Sequence, residues 1–154
     1  MLPQGILELR NISVADPASS KKRILEQAAR LLAANSEEPA VEQIFERLLE
    51  RERLGSTGLA GGVALPHARM PGIQDSRGAF LRLAEPIEFD ALDGRPVDLV
   101  FALLVPEDAN EEHLQLLSKL AATFNREDLR NRLREADAEQ ALAILTGESA
   151  TNAA

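Results

Sequence analysis

The run Val97 to Val105, VDLVFALLV, constrains the fold more than any other stretch of the chain. It is the most apolar segment present, and Pro96 and Pro106 bound it on either side. Nearly continuous β-branched and aliphatic residues between two prolines describe a strand buried on both faces, at the centre of a sheet. The rest of the chain is read around that strand.

Helical spacing dominates the flanks. Ser19 or Ser20 can cap a helix that begins at Lys21, and Ile24, Leu25, Ala28, Leu31 and Leu32 recur along one face up to Asn35. Ser36 is placed to cap a second helix, with Glu37 and Glu38 at its positive terminus and an apolar stripe of Val41, Ile44, Phe45, Leu48 and Leu49 ending near Glu52. Arg47, Arg51 and Arg53 cluster toward that end, and periodicity does not rank them. Asn110 can cap a third helix, with Glu111 and Glu112 in its first turn and Leu114, Leu117, Leu120, Ala121 and Phe124 on its buried face. Glu127 to Glu135 forms a short charged helix, and Asp137 caps a last one that Gly147 stops. Strand candidates are Val63 to Leu65, Gly78 to Leu83 and Ile87 to Phe89, the last two separated by Glu85-Pro86, while Ala68 to Ser76 reads as a loop. Residues 1–18 read as a loosely attached lead-in, 19–147 as a single domain and 148–154 as a disordered tail.

Composition removes several classes of function. Aromatic residues make up 3% of the chain and the net charge is −8, so neither base stacking nor a phosphate backbone is favoured and no nucleic-acid partner is expected. With no cysteine there are no disulfides, thiolate nucleophiles or cysteine zinc sites. No apolar run approaches the roughly 18 residues that span a bilayer, and the N-terminus lacks a signal-peptide pattern, so a cytoplasmic protein without membrane insertion is expected.

The chemistry gathers around Gly55 to Arg69, GSTGLAGGVALPHAR, and the chain's two histidines. Four of the nine glycines and the Ser56-Thr57 pair precede the Val63–Leu65 run, which Pro66 ends just before His67. Glycine-rich backbone of this kind can turn several N–H groups toward an anion. His113 opens the helix after the central strand and follows its buried stripe through 117, 120 and 124. If the two strands are parallel, both imidazoles share one sheet edge, where ligands of open α/β sheets bind. A helix N-terminus nearby favours a phosphoryl group and a neutral imidazole, which is the nucleophilic form. The competing readings are a lone structural histidine beside an ordinary glycine turn, a metal site built from the histidines with Glu111 and Glu112, and a serine hydrolase. The metal site lacks an HExxH spacing and a third clear ligand, and the hydrolase lacks the G-x-S-x-G elbow.

Three segments taken together, RERLGSTG from Arg51, GVALPH ending at His67 and EEHLQLLSKLA from Glu111, resemble the type-2 EIIA domains of the bacterial phosphoenolpyruvate-dependent phosphotransferase system. SKKRILE from Ser20 and PIEFDALDGRPVDLVFALLVP from Pro86 look like the nitrogen-regulatory branch of that family. The resemblance implies an α/β fold of three layers, a mixed central sheet of about five strands with helices on both faces. It also implies a phosphocarrier that needs no cofactor and no metal. His67 matches the phosphorylated position, His113 the second active-site histidine, Arg51 the active-site arginine, and Ser56, Thr57 and Gly58 the turn beside the phosphate. The implied donor is the histidyl phosphocarrier protein. The implied acceptors are regulatory target proteins or, in a fructose- or mannitol-type component, an EIIB. Ala60 departs from the family, which commonly has glycine there, and would be strained if the turn required positive φ. Leu59, Leu65 and Met70 are the candidates for an apolar docking surface.

Overall fold

The computed structural model describes Leu2, residues 5–109 and residues 111–147, with the side chain of Glu112 excepted. The proposed Asn110 cap, the Glu112 side chain and the tail from 148 to 154 therefore lie outside the described residues.

Strands β1 (Ile12–Asp16), β2 (Val63–Ala64), β3 (His67–Met70), β4 (Arg77–Ile87) and β5 (Val97–Pro106) form one mixed sheet. Central β5 is antiparallel to β4 on one side and parallel to β2 and β3 on the other, and β1 runs parallel to β4 at the far edge. The double burial expected of Val97 to Val105 has a simple origin. Val100, Ala102 and Leu104 enter a core with helices α1 (Lys21–Leu32) and α2 (Val41–Leu54), while Leu99, Phe101, Leu103 and Val105 enter a second core on the opposite face. That second core is closed by α3 (Glu111–Phe124), α4 (Glu127–Glu135) and α5 (Ala138–Thr146), with Phe124 against both Phe80 and Phe101. The architecture is the three-layer α/β sandwich.

Several local readings are corrected. The segment before residue 19 is anchored, since Ile12 pairs with Phe80 in the sheet and Asn11 is buried, its amide donating to the Leu31 carbonyl at the end of α1. Glu85-Pro86 does not break a strand: β4 runs through it to Ile87, because the β4–β5 register is interrupted between Arg82 and Ile87 and the proline has no ladder bond to lose. Pro66 does interrupt the sheet edge, yet the strand resumes at once as β3, so His67 opens a strand and Ala68 to Met70 are not loop. The second helix is not capped by Ser36, whose hydroxyl donates to the Glu38 carbonyl; its cap position is Ala40, whose N–H donates to the Gln43 side chain. Ser20 and Asp137 cap α1 and α5 as their side chains suggest, and Gly147 ends α5 in the left-handed region.

Candidate active site

The two histidines meet. Both β2 and β3 run parallel to β5, and the register that sets His67 beside Leu103 brings it toward the end of β5, from which the chain turns into α3. His113, in the first turn of α3, is buried at 8% exposure, and its ring centroid lies 5.3 Å from that of His67. They line a cleft of about 550 Å³ together with Arg47, Glu50, Arg51, Arg53, Leu54, Ala68 and Arg69. Four arginines around one mouth make it cationic in a chain of net charge −8. Arg51, one of three arginines that periodicity left level, lines the cleft and donates from Nη1 to the carbonyl of Gly55.

Hydrogen bonding fixes which nitrogen of His67 can react. Its Nδ1 lies 2.8 Å from the carbonyl oxygen of Leu65, and a carbonyl only accepts, so Nδ1 carries the proton and Nε2 holds the free lone pair. Burial is the main cause that lowers the His67 pKa, with the Arg51 charge adding to it, while the Leu65 bond and the charge of Glu52 oppose. Burial likewise lowers His113, helped by the positive charges of His67, Arg69 and Arg51. Both imidazoles are therefore neutral at pH 7. Nδ1 of His113 is buried without a hydrogen-bond partner among the described residues.

The Ser56–Gly58 turn stands differently from its expected role. Thr57 is buried, and both its N–H and its hydroxyl donate to the carboxylate of Glu52. Ser56 donates to the Phe89 carbonyl and accepts from the Gly58 N–H, and Gly58 presses on Ala91 so closely that a Cβ would sit 2.8 Å from its Cα. The side chains of Ser56 and Thr57 and the N–H groups of Thr57 and Gly58 are engaged inside the protein, and none of the three residues lines the cleft.

The remaining glycines form no anion cradle either. Gly61 and Gly62 hold positive φ, but the Gly61 N–H donates to Asp93 and the Gly62 carbonyl accepts from Asp98 and Leu99, roughly 15 Å along the sheet edge from His67. Arg134 closes this turn from outside, making a two-pronged pair with Asp98 and a 2.7 Å bond to the Gly61 carbonyl. Ala60 is not among the residues with positive φ, so its side chain is unstrained.

The apolar rim is also relocated. Leu65 and Met70 are buried and Leu59 packs on the core, whereas Leu54 on the cleft wall and Leu114 beside His113 are 86% and 66% exposed. Leu114 had been placed on the buried face of α3, a place that Leu116 takes. Leu54 falls outside the α2 stripe, which was the available sign of an exposed apolar residue; Arg69 and Glu52 carried no such sign. Among the described residues no group of three or more His, Cys, Asp or Glu side chains stands together.

With this geometry in place, comparison with known proteins fixes the class. Residues 5–147 match the family described as phosphoenolpyruvate-dependent sugar phosphotransferase system, EIIA 2, and the chain belongs to that family. Within it, the chain is 54% identical over 126 residues, 82% of each sequence, to the nitrogen regulatory protein of Pseudomonas aeruginosa. The crystal structure of nitrogen regulatory protein IIA-Ntr from Neisseria meningitidis superposes with a TM-score of 0.84 at 49% identity, covering 91% of this chain and 96% of that one. A fructose-specific EIIA component of Haloferax volcanii is more distant, at 35% identity over 143 residues, 93% of each chain.

Proposed function

We propose that the protein is a phosphocarrier that accepts a phosphoryl group on Nε2 of His67 from the phosphohistidine of an upstream histidyl phosphocarrier protein, with a mainly regulatory, nitrogen- or potassium-type output. The observation that carries this reading is the His67–His113 pair, 5.3 Å apart in a cleft ringed by arginines, with Nδ1 of His67 held by Leu65. In the transfer the Nε2 lone pair forms the new N–P bond while the donor's N–P bond breaks, its electron pair returning to the donor imidazole. No proton needs to move: Nδ1 of His67 keeps its proton, donated to the Leu65 carbonyl, and the donor imidazole leaves neutral with its other ring nitrogen protonated. Arg51 faces the equatorial oxygens and balances their charge, and His113 supports them from the other side of the cleft. Ser56, Thr57 and Gly58 act indirectly, by holding the end of α2 in place.

The phosphoryl oxygens bring close to two negative charges to the cleft beside exposed Leu54, offset in part by the positive ring of His67, and this changes which proteins bind the face. Regulatory targets read that change, and this role belongs to the cytoplasm. No helix among the described residues is long and apolar enough to cross a membrane. Incubation with phosphoenolpyruvate and the upstream phosphotransfer proteins tests the proposal. An acid-labile phosphoryl mass on the native chain, absent from His67→Ala, is expected; an unmodified native chain leaves only a binding module. Onward transfer to a sugar through an EIIB would instead make the protein a fructose- or mannitol-type transport component.

A further inference from the structure

Among the described residues, Glu52 is a buried acid beside the cleft that the transfer step does not use. It follows Arg51 in the last turn of α2 and its side chain is 4% exposed. One carboxylate oxygen accepts the Thr57 N–H at 2.8 Å and lies 3.1 Å from Lys21 Nζ, and the other accepts the Thr57 hydroxyl at 2.7 Å. Lys21 in turn stands 4.7 Å over the Phe89 ring and 3.7 Å from Asp90. Three such contacts, two to Thr57 and one to Lys21, hold a negative charge next to Arg51 and close enough to act on His67; the other charges acting on the histidine pair are Arg51 and Arg69.

A turn needing only a hydrogen-bond acceptor would be served by a neutral side chain. A buried carboxylate does something more, because the net negative charge that arrives on His67 with the phosphoryl group is repelled by it. We propose that Glu52 sets the transfer potential of the phosphoryl group on His67: its clamped carboxylate raises the energy of the phosphorylated form without touching the reacting atoms, and so keeps the group transferable. This rests on His67 being the acceptor. Glu52 is thus a positioning residue, and Lys21 is its counterweight.

One net charge on the order of 10 Å from another, screened as in water, shifts an equilibrium about twofold, and weaker screening near a buried site shifts it further. The test mixes the protein with the phosphorylated upstream carrier and reads the equilibrium ratio of the two phosphorylated forms by mass. Glu52→Gln is expected to move that ratio at least about twofold toward phosphorylated His67, and Lys21→Gln is expected to move it the other way. A ratio unchanged in both variants, with only rates or melting temperature altered, overturns the proposal and leaves Glu52 a structural clamp. NMR titration of unphosphorylated His67 gives a readout independent of transfer. Loss of the Glu52 charge must lower the His67 pKa below that of the native protein, and an unmoved titration overturns the field effect. If the native chain takes no phosphate, the phosphocarrier reading fails by itself, and the titration still decides whether Glu52 acts on His67.

Discussion

Replacing Arg134 by Met separates the glycine turn from the phosphate site. Arg134 makes three hydrogen bonds, to both oxygens of Asp98 at 2.8 and 3.0 Å and to the Gly61 carbonyl at 2.7 Å. Bonds to charged groups contribute about 1.5–3 kcal/mol each when buried. Here the side chains of Arg134 and Asp98 keep 32% and 21% exposure, so water replaces part of each bond and about 1 kcal/mol apiece remains, near 3 kcal/mol in all. Methionine preserves the packing of the aliphatic stem and the helix propensity of α4. For a domain of this size about 3 kcal/mol lowers the melting temperature by about 6–12 °C. Calorimetry reads that fall, and phosphorylation of His67 at a temperature where both proteins are folded is expected to stay at the native rate. An unchanged melting temperature together with lost phosphorylation would refute the reasoning and return the glycine turn to the active site.

Three further outcomes follow from the cleft. His113→Ala is expected to slow phosphorylation about 10²-fold while His67 still accepts the group, as measured by quenched-flow transfer from the donor; equal abolition in His67→Ala and His113→Ala would contradict the division of roles. Arg51→Ala is expected to slow transfer with a change in melting temperature of at most about 2–4 °C, because the residue is only half-buried and its hydrogen bond among the described residues is a water-accessible one to the Gly55 carbonyl; a larger fall marks it as structural. For pH, both histidines have folded pKa values below their ordinary 6.5, so the unfolded chain binds protons first as pH falls. Stability therefore drops with pH from about 6.5 down to the folded values. The transfer rate stays level through pH 6.5 and falls only below it, when Nε2 is protonated; a rate that halves at or above 6.5 contradicts the assignment.

The central strand was legible because burial on both faces leaves no polar alternation, and VDLVFALLV has almost none. The helices were legible where a capping side chain stood before an apolar stripe, as Ser20 and Asp137 do. β1 was not, since five residues with a positive-φ Ala15 and a register shift carry no period. Proline signalled a break at both Pro66 and Pro86, but a missing N–H matters only where a partner strand would accept it, and sequence does not say where that is. The histidine pair was readable because the chain has only two, each beside a strand. The glycines misled for a physical reason: positive φ serves equally well to receive an anion and to let Arg134 and Asp93 grip a turn. Glu52 was invisible because helical position does not distinguish a buried acid from a solvated one.

The central claim is that Nε2 of His67, and no other nitrogen, carries the phosphoryl group. NMR of the protein labelled with nitrogen-15 and phosphorylated by the upstream carrier measures this through the couplings of the modified ring. The account predicts a single phosphorylated imidazole, His67 at Nε2, with Nδ1 still protonated. A phosphoryl group on Nδ1 of His67, or on His113, would contradict it.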